Sequence, residues 1–264
     1  MAPGKCFRLY TAWSFAHELD AQTVPEVQRT NLGTVVLLLK SLGISDMIHF
    51  DFLDPPPAET LLRALEQLYA LGALNDRGQL TKLGRRMAEF PLDPPLAKML
   101  IAAEHYACTE EVLSVCAMLQ VCAALLYRPR DKAVLADNAH AAFRRPAGDH
   151  LMLLAIWDQW RDTGFSLQWC YDNFVQHRSL ARARDVREQL LALLERVEVP
   201  LLSSPADSAA VCKAVASGFF FHAARLHGTS GQYRTLKSHT YVQIHPSSCL
   251  FRQGAAAAVA AAAT

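Results

Sequence analysis

The sequence predicts a mainly α-helical protein: a short α/β opening, a helix–hairpin–helix unit, a long run of helices, and a few short β-strands near its end. Three observations carry this fold class. Apolar residues recur at three- and four-residue spacing through most of residues 30–200, the mark of helices that bury one face. Alternation, or the Gly/Ser punctuation of short strands, is confined to residues 5–10 and to the region after residue 218. Residues 51–94 set a helix, a tight polar turn between two short apolar segments, and another helix in direct succession.

In order, Lys5-Cys6-Phe7-Arg8-Leu9-Tyr10 alternates as a strand does, and residues 11–19 begin a helix containing Trp13, Phe15 and Leu19. The next helix covers 30–42, with Thr30 as cap, Leu32, Val35, Val36 and Leu39 as its apolar face and Gly43 as its stop. Residues 44–52 form an extended approach to three prolines. Met47, Ile48, Phe50, Phe52 and Leu53 read as core beside that turn, although an exposed part of the cluster would make a docking patch. Asp54 ahead of Pro55-Pro56-Pro57 is a helix start, since Asp can accept from free N–H groups and proline loses nothing in the first turn. The helix opens at about Ala58, shows Leu61, Leu62, Leu65, Leu68 and Tyr69 on one face, and ends at Gly72. Ala73-Leu74, the turn Asn75-Asp76-Arg77-Gly78 and Gln79-Leu80 make a small hairpin, and Thr81 caps the following helix. Helix, small hairpin, helix is a winged-helix pattern. From Leu61 to Leu71 the central helix carries only Arg63 and Glu66 as charges. That favours docking or hinge work over reading a nucleic-acid groove, and disfavours an autonomous DNA binder.

Helical patterns continue over 96–106 and 109–126, the second opening with Thr109-Glu110-Glu111 as cap and favourable first-turn charge. Tyr127-Arg128-Pro129-Arg130-Asp131 breaks the run. Asp149 is expected to cap a helix over 151–160, and segments 168–174 and 179–199 complete a bundle with short connections. On the last of these, at about 100° per residue, Leu180, Ala183, Val186, Leu190, Leu193, Leu194 and Val197 share one side. Arg178, Arg182, Gln189 and Arg196 cluster on a flank that Asp185 shares. The flank is either a solvated face with an Arg182–Asp185 ion pair, or a row of guanidinium donors that tracks phosphates. Arg184 and Arg187 point elsewhere, as packing or inter-domain residues. Prolines break the chain at 200–205, a short helix over 207–217 closes at Gly218, and 219–225, 233–237 and 240–245 are short strands. This is the opening of an OB-fold, a small barrel that often binds single strands through basic and aromatic side chains. Lys237, His239, Tyr241, His245, Ser247 and Ser248 are the candidates; alternatively, Tyr241 packs and the hydroxyls close a turn. The alanines of 255–264 favour helix, but so short a segment is marginal alone.

With 264 residues and 52% hydrophobic content the chain can bury a sizeable core, and its net charge of +1 means that a nucleic-acid partner must be argued from local patches. The seven cysteines include no CxxC and mostly sit in apolar helical patterns, as buried thiols of a reducing compartment do. His105 with Cys108, or Cys116 with Cys122, falls short of zinc spacing, so no metal is assigned. No signal peptide and no charge-free apolar run of membrane-spanning length is found, which predicts a soluble intracellular protein with no membrane partner. Asp149-His150 suits a cap better than a catalytic pair, and no GxSxG motif occurs, so hydrolase chemistry has no residue-level support and no catalytic residue is assigned. Nor does a GxxxxGK[ST] sequence or an Asp-Glu-Ala-His box occur, leaving nothing to cradle phosphates or hold magnesium.

Pro3-Gly4-Lys5-Cys6-Phe7-Arg8-Leu9-Tyr10-Thr11, Val24-Pro25-Glu26-Val27-Gln28-Arg29-Thr30-Asn31-Leu32, Leu42-Gly43-Ile44, His49-Phe50-Asp51-Phe52-Leu53-Asp54-Pro55-Pro56 and Leu92-Asp93-Pro94 resemble the C-terminal half of a DEAH-box RNA helicase. Thr235-Leu236-Lys237 and Ile244-His245-Pro246-Ser247 extend the likeness, which covers nearly all of residues 3–251 and is strongest to pre-mRNA-splicing members that remodel the spliceosome. The resemblance implies the end of a second RecA-like domain at 1–22, a winged helix at 23–95, a ratchet-like bundle at 96–200 whose long helix lies along single-stranded RNA, a partial OB-fold at 201–252 and an alanine-rich tail at 253–264. It implies RNA contacts by Arg178, Arg182, Arg196, Lys237, His245, Ser247 and Ser248, with His150 and the Arg144-Arg145 pair nearby. Ile48, Phe50, Phe52 and Leu53 become a docking surface for a G-patch activator. ATP and magnesium belong to the RecA-like motor domains of the parent helicase, and no cofactor is expected in these residues. The implied partners are single-stranded RNA, those motor domains and spliceosomal proteins, in the nucleus. The alternative is an RNA-independent protein-interaction scaffold within a ribonucleoprotein complex.

Overall fold

In the computed structural model, which describes residues 3–20, 22–228 and 231–251, the N-terminal segment is less ordered into secondary structure than its alternation predicts. Residues 5–10 form no strand: a strand needs a ladder partner for its N–H and C=O groups, and no described segment offers one. Helix α1 (Ala12–His17) starts where expected, the Thr11 hydroxyl accepting from the Ser14 N–H at 3.0 Å. Its Trp13 and Phe15 are exposed, as are Phe7, Leu9 and Leu19. After α2 (Glu26–Arg29) comes α3 (Gly33–Ser41), and here the cap is not Thr30. The Thr30 hydroxyl donates back to the Glu26 carbonyl, while Asn31 Oδ1 accepts from the Gly33 N–H at 2.7 Å. The buried face of α3 runs through Val36 and Leu37 with Leu32 ahead of it, leaving Val35 outside, a rotation of about one residue from the expected stripe.

The apolar cluster at 47–53 divides. Met47 is buried, Ile48 and Leu53 are exposed, and Phe50 and Phe52 are half-buried, edge-to-face with centroids 4.7 Å apart. Asp54 makes no cap; Pro57 holds the N-cap position of α4 (Ala58–Ala70) without a side-chain bond. The buried stripe of α4 is the narrow one of Leu61, Ala64 and Leu68, against α3. Leu62 and Tyr69 are exposed, and the Tyr69 hydroxyl donates to Asp76 in the hairpin turn at 2.9 Å. The hairpin itself forms as the turn residues dictate. Leu74 bridges Leu80, the Asn75 N–H bonds the Gln79 carbonyl at 2.9 Å, and Thr81 caps α5 (Lys82–Ala88) by accepting from the Gly84 N–H.

The helical region follows as α6 (Pro94–Ala102), α7 (Thr109–Leu119), α8 (Ala133–Phe143), α9 (Asp149–Asp162), α10 (Leu167–Asp172), α11 (His177–Arg196) and α12 (Ser208–Phe219). Helix α8 has no counterpart in the sequence reading, because only Ala136 and Phe143 of it are buried and its Val134 and Leu135 face outward, so it shows no apolar stripe. Two expected caps have other work. Thr109 is already helical; its hydroxyl donates to the Pro200 carbonyl at 2.8 Å and accepts from the Leu202 N–H at 2.6 Å, tying residues 200–202 to the start of α7. Asp149 is the first residue of α9, Gly148 being the N-cap, and its Oδ1 accepts from the Cys249 N–H at 2.7 Å. Gly218 does not stop α12, which runs on to Phe219. A side chain at 218 would collide with the Pro95 carbonyl, so glycine there lets α12 lie directly on α6.

One hydrophobic core runs from Leu32 and Val36 through Leu68, Met99 and Val112 to Leu190, Leu194 and Ala214, so the winged-helix unit and the helical bundle are packed as one body across residue 95. A second core, with Phe143, Trp157, Trp160 and Leu180 at its centre, closes the far end of α7 and α9 against α8, α10 and the first half of α11. Residues 219–223, expected to open a strand, finish α12 and make the 3-10 turn Phe220–His222. Strands β1 (Ala224–His227), β2 (Gln232–Thr235) and β3 (Tyr241–Val242) form an antiparallel meander in chain order. Cys108, Cys116, Cys170 and Cys249 are buried free thiols, whereas Cys6 and Cys122 are exposed. No described helix is long and apolar enough to cross a membrane. The alanines of 255–264 lie outside the described residues.

Candidate nucleic-acid interface

The register of the small sheet places side chains that the sequence keeps apart. Arg225 pairs with Arg234, and Arg234 with Tyr241. Directly paired residues share a face, so these three form a row across all three strands. His227, two positions from Arg225, is on the same face, with its Nε2 3.4 Å from the Tyr241 hydroxyl and the rings edge-on at 5.2 Å. The opposite face carries the row Leu226, Tyr233 and Val242. One side of the sheet is therefore cationic and aromatic and the other apolar.

Like charges directly opposed on neighbouring strands are destabilising. Arg225 has no hydrogen-bond or ion-pair partner among the described residues, and Arg234 has only the His239 carbonyl, to which its Nε donates at 3.3 Å. The open concavity of about 430 Å³ bounded by Arg225, His227, Arg234, Leu236 and His239 has no carboxylate in its lining. An anion seated there would relieve that repulsion. The sequence reading passed over Arg225, Arg234 and His227, because their conjunction depends on strand register; the only sequence signal was the alternation Arg225-x-His227.

The residues singled out from sequence fall into separate groups. Lys237 is exposed and unpartnered among the described residues, in a turn closed by the Thr235 N–H to Thr240 carbonyl bond at 3.0 Å. His245, Ser247 and Ser248 lie in a turn of their own. Nδ1 of His245 is 2.8 Å from Ser247 Oγ, the Ser248 N–H donates to the His245 carbonyl, and Ser248 Oγ accepts from the Leu250 N–H. That turn is fastened to the start of α9 through Cys249 and Asp149, so these hydroxyls close a joint. His150 sits in the same joint, half-buried, its ring 6.4 Å from Phe219. Burial pulls its pKa down against the opposing pull of Asp149. Arg145 spends Nη1 on the Ala142 and Arg144 carbonyls.

On α11, Arg178 and Arg182 are exposed one turn apart and make no hydrogen bond or ion pair among the described residues, so the Arg182–Asp185 pair of the solvated-face alternative is not formed. Arg196 pairs with Glu89 beyond α5, both side chains remaining exposed, and eighteen residues of helix put it about 27 Å from Arg178, at the far end of the row that Arg178 and Arg182 begin. Arg184 lies over Phe165 at 5.5 Å, and Arg187 lies over Trp157 and donates to Ser114 at 3.0 Å, the packing roles expected of them. Trp160 meets His177 at 6.1 Å, which sets the Arg178–Arg182 flank at the C-terminal end of α9 and the Cys249 joint at its N-terminal end, roughly 17 Å along the helix. Among the described residues no group of His, Cys, Asp and Glu is arranged to hold a metal ion.

Three family descriptions match the chain in order. The helicase associated domain (HA2), winged-helix, matches residues 64–92; the helicase associated domain (HA2), ratchet-like, matches 93–153; and the oligonucleotide/oligosaccharide-binding (OB)-fold matches 211–259.

Proposed function

We propose that this chain, which carries the HA2 winged-helix, HA2 ratchet-like and OB-fold domains of the C-terminal region of DEAH/RHA-type helicases, holds single-stranded RNA for a helicase motor. The observation that carries this is the Arg225–Arg234–Tyr241 row in the region matched by the OB-fold: two guanidiniums with no carboxylate in their concavity, beside an exposed aromatic ring. Guanidiniums suit phosphates, and a tyrosine ring offers a stacking surface for any base. Arg178, Arg182 and Lys237, each exposed and without a partner among the described residues, add phosphate contacts along the same strand. Such contacts position the strand without reading its sequence.

In this proposal ATP and magnesium are held by RecA-like motor domains of the parent helicase, and the exposed Phe7, Leu9, Trp13 and Phe15 belong to the surface those domains cover. The likeness of residues 3–94 to splicing members supports work in pre-mRNA splicing, in the nucleus, with G-patch activators docking near the exposed Ile48 and Leu53. Those exposed apolar residues also favour the second reading, a protein-interaction scaffold that does no RNA work.

The experiment that separates the two is binding of the whole chain to labelled single-stranded RNAs of unrelated sequence across a salt series. An RNA clamp binds them alike, with affinity falling by a log–log slope of about −0.7 per phosphate neutralised. Arg182→Ala should shallow the slope by about one phosphate's share and weaken every sequence equally. If the chain binds but Arg178→Ala, Arg182→Ala and Lys237→Ala all leave affinity and slope unchanged, α11 is not on the path. Should no binding appear even with the motor half supplied, the scaffold reading replaces this one.

A further inference from the structure

No aspartate or glutamate follows Asp207 in the sequence, whereas Arg225, Arg234 and Lys237 do. The sheet therefore has no acid of its own to balance the guanidiniums that its register brings together, and no carboxylate from elsewhere lines their concavity. Directly opposed positions on antiparallel strands have Cα atoms only about 4.5–5.5 Å apart. Arg225 and Arg234 consequently reach one point in the concavity. Arg178 and Arg182 on α11 differ in this respect, since their one-turn spacing of about 6 Å along the helix sets them at successive points. Arg234 is also aimed. Its Nε donates to the His239 carbonyl at 3.3 Å, which fixes the plane of the guanidinium and leaves Nη1 and Nη2 unbonded among the described residues. His239 holds that carbonyl in place with a φ of 55°, a conformation uncommon for a residue with a side chain, locked by the Thr240 N–H to Thr235 Oγ1 bond at 2.9 Å. The next position in the row is Tyr241, with its ring half-exposed and its hydroxyl against His227. Strands lie about 4.8 Å apart, so the row from Arg225 to Tyr241 spans about 10 Å, the footprint of a single nucleotide.

We propose that the sheet face seats the terminal nucleotide of an RNA, its phosphate monoester between Arg225 and Arg234 and its base on Tyr241. This rests on the reading of the sheet as an RNA surface and goes beyond it by assigning the part of the strand that is held there. Charge makes the selection. An interior phosphodiester carries one negative charge and would leave one of two converging guanidiniums unbalanced. A monoester carries about −1.5 to −2 at pH 7 and presents three acceptor oxygens, enough for both forks, so that each arginine neutralises one charge. Interior diesters of the same strand are then left to Arg178 and Arg182, which meet one phosphate at a time. A 5′-phosphate and a 3′-phosphate offer the same chemistry. A phosphorylated protein side chain has a monoester too, but it brings no base for Tyr241, and the match of residues 211–259 to an oligonucleotide/oligosaccharide-binding fold favours the nucleic acid.

The test is competition on the whole chain, against an internally labelled oligouridine, by oligouridines that differ only at their ends: hydroxyl at both, 5′-phosphate, 3′-phosphate, and a 5′-phosphate methylated to a diester. A phosphoserine peptide is the fifth competitor. A phosphorylated end should compete about tenfold better than a hydroxyl end, the gain of one charge-assisted pair, and the end that gains gives the direction in which the strand enters. The methylated end keeps the phosphorus and loses the second charge, and should fall back to the hydroxyl value. Arg225→Ala, which removes no hydrogen bond among the described residues, should erase the preference, whereas Arg182→Ala should weaken every RNA alike and keep it. Hydroxyl, phosphate and methylated ends that compete equally would overturn the proposal and leave the RNA reading standing. A preference that survives Arg225→Ala would place the end elsewhere and overturn it as well. Tighter binding of the phosphoserine peptide than of any RNA would replace it with a protein ligand, and a chain that binds no RNA would remove both readings together.

Discussion

Removing Arg225 and Arg234 should change two properties of the chain in opposite directions. In the free protein the two guanidiniums stand opposite each other on β1 and β2 with no carboxylate in the concavity between them. Arg225→Ala therefore removes a like-charge pair that is worth a few tenths of a kcal/mol against the fold, and since Arg225 makes no hydrogen bond among the described residues it removes nothing favourable. Thermal unfolding should be unchanged or slightly later. RNA binding should suffer. If each arginine neutralises one phosphate, the Arg225→Ala/Arg234→Ala chain has a salt slope shallower by about 1.4, twice 0.7. Between 50 and 200 mM salt, about 0.6 log units, wild type should lose roughly sevenfold more affinity than the double variant. Fluorescence anisotropy at both salts and a melting curve on the same samples read both quantities. A variant that melts as wild type does and keeps the wild-type slope would show that the sheet face does not meet phosphate. An Arg225→Ala single variant that melts earlier would show that the repulsion reasoning is wrong, since Arg234→Ala also removes the bond to the His239 carbonyl.

Three further outcomes follow from the packing. Burial alone would raise the Asp149 carboxyl, but hydrogen bonds from the Cys249 amide, the Ser248 hydroxyl and the Cys249 thiol hold it below its usual value. The joint should therefore be intact above the unfolded carboxyl pKa of about 3.9 and loosen as pH falls through the folded one, with Asp149→Asn removing that dependence; the protection factor of the Cys249 amide is the readout. Gly218→Ala sets a Cβ against the Pro95 carbonyl and should destabilise the chain by about 1–3 kcal/mol in urea titration, whereas the same change at an exposed glycine within a helix would be slightly stabilising. Burial, helped by Glu111 and Asp207, pushes the Cys108 thiol up to about 11 and burial alone pushes Cys116 up as well, so an aromatic disulfide reagent at pH 8 should label exposed Cys6 and Cys122 quickly and those two only after unfolding.

The sequence by itself determined much of the local structure, although Thr30 and Asp54 do not cap as their residue types suggest. The hairpin at 73–81, the cap at Thr81 and the stops at Gly43 and Gly72 were legible because each is set by hydrogen bonds or positive φ within about ten residues. The order winged helix, ratchet-like bundle, OB-fold was legible as well, since ordered motifs carried it. Partners distant in the chain were not. Thr109 and Asp149 looked like caps because a short polar side chain at a helix start bonds some backbone N–H, and the pattern cannot say whose. Tertiary packing gave them the amides of Leu202 and Cys249, 93 and 100 residues away. The same holds for the candidate site. An arginine's charge is visible in sequence, but whether it is spent is not: Arg196 went to Glu89, and Arg187 to Trp157 and Ser114, while Arg178 and Arg182 stayed free of described partners. Arg225 and Arg234 are nine residues apart along the chain and meet only because antiparallel register faces them across two strands, a relation that neither residue encodes alone.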